Sequence, residues 1–386
     1  MTATMDPATD DSAQRRDLIA LAASVGATLA ANAASHDRDG TLVTEGIDAL
    51  RAAGLLAIGV PVELGGAGAT PREIAAVQRE LARHCGSTAL ASSMHQHVTA
   101  FMAWRYRRNA PGAEATLRRI AEEGILLVST GGADFTHPRG TATKVEGGYK
   151  VSGQKVFCSL SEVGTVMSTM FAYDDPEQGE RILNMAVPIA SDGVTVLDNW
   201  DALGMRGTAS NDIVLDEVFV PDERVTANRP YGIIDPPLQV ILSISGPIIT
   251  SVYLGVAESA YEAAIKAVAS KGGDPIVQRQ VGLMRHRLQL ASWALDRSFD
   301  VIGDDPEPSA ERVDAALIAK REVARAGLEV CDIAMELAGG AGYFKNSIVE
   351  RAYRDIRAIK FHPLTPELSL LHAGRLALGL PTDVLS

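Results

Sequence analysis

The sequence predicts a mainly helical protein with a small β domain inserted between two helical segments. Three observations carry that reading. Apolar residues recur at helical spacing through the first third of the 386 residues. From about Ile125 the pattern shortens to alternating runs broken by glycine turns. After about Pro237 the helical period returns and persists. The expected division is residues 1–124, an N-terminal helical domain; 125–228, a small antiparallel β domain; and 229–386, a C-terminal helical bundle. A chain this long exceeds the size at which one core keeps growing, so several packed units are expected.

In the first third, helices are expected over residues 16–33, 45–53, 72–84 and 113–123. The third has the clearest start: Thr70 offers an N-cap hydroxyl, and Pro71 fixes a backbone angle suited to the first helical position. Residues 54–70, GLLAIGVPVELGGAGAT, form a Gly/Pro-punctuated connection. In the middle, Gly147-Gly148 before Tyr149-Lys150-Val151 signals a hairpin. Residues 181–188 and 193–197 read as strands; 212–221 is another, its one-residue slip between Leu215 and Val218 signalling a bulge. The last third predicts helices over 238–270, 275–302, 310–337, 347–360 and 366–378, joined by short loops that suit antiparallel packing. Residues 240–257 carry no charge over a length close to a membrane span. Their serines and threonines, with no basic flank, favour a helix buried on all sides.

Composition narrows the function. Hydrophobic residues at 46% and charged residues at 22% suit a globular protein. A net charge of -12 argues against a nucleic-acid partner and gives no help at an anionic membrane. Cys85, Cys158 and Cys331 are far apart, the eight histidines form no metal-ligand pattern, and the polar start lacks the apolar core of a signal peptide. A reduced, cytoplasmic protein without a metal site is expected. No GxGxxG follows a strand, and neither a P-loop nor a GxSxG elbow occurs.

Four segments, in order, resemble the acyl-CoA dehydrogenase superfamily, and the likeness extends over nearly the whole chain. They are residues 54–68; Gly153-Gln154-Lys155-Val156-Phe157-Cys158-Ser159; Leu203-Gly204-Met205-Arg206-Gly207-Thr208-Ala209-Ser210-Asn211-Asp212; and Ala338-Gly339-Gly340-Ala341-Gly342-Tyr343 followed by Arg354-Asp355. The resemblance implies a bound flavin, FAD with FMN as the alternative. Phe157 matches the aromatic that covers the flavin ring, Ser159 the hydroxyl near N5, and Ser129 a contact to the pyrimidine ring. Strand alternation would put Phe157 and Ser159 on one side; without the resemblance, Phe157 reads as a core aromatic. Gly339 and Gly340 match a backbone contact to the cofactor from a neighbouring subunit, which implies a homodimer or homotetramer; a helix stop explains them equally well. Thr365 and Glu367, a well-formed helix start, would lie near the cofactor.

The sequence departs from that family where a base is needed. The position of the usual catalytic Glu after the Arg-Asp helix is Pro363, and the alternative position, before Gly246-Pro247, is about Gln239. Beside the vacancy stands His362, an imidazole able to act as base, acid or donor; capping the preceding helix is its structural alternative. Three functions follow. The first is desaturation of an acyl thioester with His362 as an unorthodox base, passing electrons to a partner. The second, resembling the monooxygenase branch, oxygenates a small molecule through a flavin C4a-hydroperoxide, with a flavin reductase as partner. The third is a non-catalytic member that binds flavin or an acyl carrier. Residues 269–274 offer Lys271 as their only positive charge, which weakens the case for FAD and admits FMN.

Overall fold

The computed structural model describes residues 7–384; the first six residues of the polar start and the last two lie outside it. The N-terminal part comprises α1 (Pro7–Asp39), α2 (Thr44–Ala52), α3 (Pro71–His84), α4 (Gly86–Arg107) and α5 (Ala113–Glu123). Thr70 and Glu73 close a capping box on α3: the Thr70 hydroxyl accepts from the Glu73 amide, and the Glu73 carboxylate accepts from the Thr70 amide at 2.8 Å. The sequence pattern does not announce α4. It is buried along most of its length and on nearly every side, so it shows no single apolar stripe. Several of its interior polar groups bond to backbone: Ser93 Oγ donates to Leu90 O at 2.8 Å, and Gln96 Nε2 to Leu55 O at 2.7 Å.

The middle part is an eight-stranded sheet. Its strands are β1 (Leu127–Ser129), β2 (Thr141–Val145), β3 (Gly148–Lys155), β4 (Val166–Asp175), β5 (Gly179–Pro188), β6 (Val194–Val196), β7 (Ile213–Pro221) and β8 (Val225–Pro230). The spatial order is β6-β7-β3-β2-β4-β5-β8, with β1 beside β4. Most pairs are antiparallel, but β1 and β2 each meet β4 in parallel, so the expected antiparallel domain is antiparallel only in the main. The expected bulge is present: Asp216 and Glu217 oppose Ser152 alone, and Glu217 takes a φ of 52°. β4 is not legible in the sequence pattern, because its consecutive buried residues Thr169, Met170 and Phe171 blur the alternation.

The last part holds α6 (Pro236–Ala267), α7 (Pro275–Ile302), α8 (Ala310–Ala338), α9 (Ile348–Asp355) and α10 (Pro366–Ala377). The uncharged stretch lies in α6, and 89% of its most apolar window is buried inside the fold. The helix expected over 347–360 ends earlier: α9 stops at Asp355 and a tighter 3₁₀ turn, Ile356–Phe361, leads to His362 and Pro363. Proline disfavours helical backbone in the residue before it, which ends the run there.

Two motifs flagged in the sequence lock the three parts together. Arg354 pairs with Asp37 of α1 at 2.5 Å and with Glu350 at 2.7 Å, and donates to Leu203 O at 3.1 Å. Next to it, Asp355 accepts from the Met205 amide. Gly204 lies so close that a Cβ there would stand 2.6 Å from the Arg354 backbone.

Candidate active site

A cavity of about 140 Å³ opens where the β domain meets α4, α6 and the turn before α10. One stripe of α4 lines it: Leu90, Met94 and His97, spaced four and three residues apart. From the β domain come Ser129, Thr130, Gly131 and Gly132; a Cβ on Gly132 would meet Pro363 at 2.2 Å, so only glycine lets the two loops touch. Ser245 and Ile249 of α6 and His362 and Pro363 close the far wall. A second lobe of about 230 Å³ shares His97, Ser129, Thr130 and Phe135 with the first. A larger cleft of about 770 Å³ lies between α3, α6 and α7, but its walls include the ion pairs Arg79–Glu258 and Arg83–Glu262, already satisfied.

Of the residues singled out in the sequence, Ser129, Phe157, Ser159 and His362 meet in this cavity. The route differs from the expected strand alternation. β3 ends at Lys155, and Phe157 and Ser159 sit in irregular backbone, Phe157 with φ 56°. A left-handed conformation is uncommon for a bulky residue. Phe157 is also no core aromatic: it is 56% exposed, its ring 6.1 Å from that of Trp200 at an interplanar angle of 82°. The cavity wall is stiffened by a run of hydroxyls, with Ser159 Oγ 2.8 Å from Ser210 Oγ and that atom 2.7 Å from Thr208 Oγ1.

Four other expected residues do not line the cavity of their own chain. Gly339 and Gly340 are exposed on a turn after α8, where an added Cβ would touch nothing within 4 Å. Thr365 caps α10, and Glu367 is exposed in its first turn. Pro363 lines the cavity where the resemblance places a carboxylate, and Gln239 does not.

His362 does not cap the preceding helix. Its Nε2 lies 2.6 Å from the Tyr253 hydroxyl, and its backbone carbonyl accepts from Lys320, which also donates to Leu364 O at 2.6 Å. Burial, then the charge of Lys320 and the neighbouring His97, push the His362 imidazole down to about 3. Burial raises the Tyr253 phenol well above its ordinary value, so at neutral pH an uncharged phenol meets an uncharged imidazole. If the phenol donates, the His362 ring keeps its proton on Nδ1.

His97 also lines the cavity, unannounced by the sequence pattern. It is pushed down to about 4, first by burial, and its Nε2 stands 3.3 Å from Ser129 Oγ. Its repeat with Leu90, Met94 and Phe101 would have exposed it, had α4 been recognised as a helix. Two neutral histidines thus line one cavity, and among the described residues that line it none is an aspartate, glutamate, lysine or arginine.

The fold and this geometry have known counterparts. Family models for the N-terminal, middle and C-terminal domains of acyl-CoA dehydrogenases match residues 15–121, 129–218 and 248–367. The chain belongs to the acyl-CoA dehydrogenase superfamily. The amino sugar nitrososynthase of Streptomyces peucetius is 30% identical over 372 residues, covering 91% of this chain and 90% of that protein. A nitrososynthase from Micromonospora carbonacea var. africana has a TM-score of 0.86 at 26% identity, covering 98% of this chain and 99% of that one. KijD3, solved with FMN and dTDP-3-amino-2,3,6-trideoxy-4-keto-3-methyl-D-glucose, has a TM-score of 0.83 at 28% identity, covering 99% and 96% of the two chains. As a member of the superfamily, the chain is a flavin-dependent oxidoreductase.

Proposed function

We propose that this protein is a reduced-flavin monooxygenase that inserts one oxygen atom of O₂ into a small organic molecule. The observation that carries the reading is a cavity with two neutral histidines and, among the described residues that line it, no carboxylate. Desaturation of an acyl thioester needs a base matched to a weakly acidic proton, and efficiency falls when the base's pKa lies far below the working pH. An imidazole held at about 3 is poorly suited to that work. Neutral imidazoles in a largely apolar pocket can hold an oxygen atom by hydrogen bonds without supplying a strong acid, and apolar walls exclude water.

The residues fit a flavin ring. Phe157 offers an exposed aromatic ring, while Ser129, Ser159 and Thr130 offer hydroxyls around a largely apolar space. FMN is the favoured form, supported by the complex of KijD3 with FMN and by the sparse positive charge at residues 269–274. Reduced FMN, when bound, supplies the two electrons that activate O₂. One oxygen atom passes to substrate and the other leaves as water with two protons. His362, held by Tyr253, and His97 orient the oxygen. Ser159 would hold the edge of the ring. Gly339, Gly340, Thr365 and Glu367 would contribute from a second copy of the chain, in keeping with their distance from the cavity of their own chain. A separate reductase would supply the reduced flavin, a reading supported by the similarity to a probable FMNH2-dependent monooxygenase of Pseudomonas putida. The nitrososynthase relatives, named for amino sugars, support a nitrogen centre as the oxygen acceptor.

Stopped-flow mixing of protein loaded with reduced FMN against oxygenated buffer tests the reading. A transient absorbance distinct from both reduced and oxidised flavin is expected. Direct conversion to oxidised flavin in one phase, together with bleaching of oxidised flavin by an acyl thioester, would favour desaturation instead.

A further inference from the structure

The second lobe differs from the first in one respect: it contains cations. Its walls are mainly apolar, with Val98, Phe101, Met102, Met170 and Ile241. Two arginines also line it. Arg229 is committed, paired with Asp235 at 2.9 Å and donating to Asn184 Oδ1 at 2.9 Å and Phe135 O at 2.8 Å. Arg105 is not. Among the described residues its guanidinium meets only two backbone carbonyls, Thr226 O at 3.1 Å and Pro111 O at 3.4 Å, and no carboxylate. A carbonyl satisfies an N–H but leaves the positive charge uncompensated.

Arg105 continues the stripe of α4 that carries His97 and Phe101. Eight residues of helix separate it from His97, about 12 Å along the axis at 1.5 Å per residue. Both ends of that span line the same lobe, and His97 also lines the first one.

We propose that Arg105 makes the second lobe the binding site for the oxyanion end, carboxylate or phosphate, of a substrate whose middle is apolar. A planar guanidinium fork suits both groups, because it can donate two parallel N–H bonds to a pair of oxygens. The apolar walls take the body of the molecule, and its other end reaches the wall shared by His97 and Ser129. The substrate class follows from this spacing: an elongated small molecule with a single anionic terminus about two helix turns from the atom that is oxidised. The inference rests on the oxygenase reading for the identity of the first lobe, but the anion site itself needs no turnover.

Calorimetric titration of the FMN-loaded protein with phenylbutyrate, phenylbutyl phosphate and the neutral phenylbutanol tests it. At least one anion should bind about tenfold tighter than the alcohol, the usual worth of a charge-assisted hydrogen bond. Which anion binds tighter separates carboxylate from phosphate. Arg105→Gln should bring the anions down to the affinity of the alcohol while leaving the alcohol unchanged, and Arg105→Lys should retain part of the preference. Equal affinity of anions and alcohol for the wild type, failure of all three to bind, or a preference that survives Arg105→Gln would each overturn the proposal. A preference lost with Arg105 in a protein that shows no oxygen-dependent transient would leave the anion site standing and remove only the oxygenase reading.

Discussion

His362 is held at two points, by Tyr253 on its ring and by Lys320 on its carbonyl. Lys320 is itself buried enough to be pushed down to about 8. A side chain so fixed cannot drift when the cavity fills, which is what a group that orients a reacting atom requires. Removing the imidazole in His362→Ala should cost at least about tenfold in oxygenation rate, roughly 1.4 kcal/mol of barrier. Tyr253→Phe keeps the ring packing and loses one hydrogen bond, so a smaller loss of about threefold to tenfold is expected. Product formation with reduced FMN, on variants whose circular dichroism matches the wild type, measures both. Wild-type turnover in His362→Ala would reduce the residue to a packing role.

At the scale of the element, α4 organises the site. One side fixes neighbouring backbone: His95 Nδ1 accepts from the Leu127 amide at 3.0 Å, which leaves Nε2–H to donate to Leu56 O at 2.9 Å. The other side presents His97 to both lobes. Burial pushes His95 and His97 each down to about 4, from an ordinary value of 6.5. A depressed histidine binds fewer protons folded than unfolded. Its contribution to stability is therefore complete above pH 6.5 and is lost as the pH falls toward 4, at most about 3 kcal/mol for each ring. Asp355 has the opposite sign: burial raises it to about 6, so its contribution is lost as the pH rises through that value. Urea midpoints taken from pH 7 down to about 4.5 should fall, and His97→Gln should flatten the slope by that residue's share. A slope unchanged by His97→Gln would mean that the imidazole is charged or well solvated in the fold.

Across the whole molecule, Arg354 ties α1 to the bundle and to the segment that carries the cavity's Met205 and Ser210. The group is nearly buried, with the Arg354 and Asp37 side chains 9% and 6% exposed. Arg354→Met leaves Asp37 without its cation, and Glu350 with only the exposed Lys345 at 3.3 Å, and should cost about 3–5 kcal/mol, since removing one partner strands a buried charge. Flavin affinity should fall as well, because the Leu203 carbonyl, two residues before the cavity's Met205, loses its anchor on the bundle. Denaturation and FMN titration measure the two effects separately. Stability within about 1 kcal/mol of wild type would show that water already reaches this network.

The helical and β segments are legible in the chain itself because they depend on neighbours a few residues apart. Thr70-Pro71 announces α3, and Leu215 to Val218 announces the bulge in β7. The motifs at 203–212 and 354–355 likewise mark the family. Elements buried on several sides escape such reading: α4 and β4 have no polar face to set their period. The chemistry of the cavity escapes it further. Whether His362 is a base or a neutral donor depends on Tyr253 and Lys320, 109 and 42 residues away, and on His97 from a helix the pattern hid. Local spacing chooses helix or strand, but the charge state of a buried ring is set by desolvation and by partners brought in from across the fold.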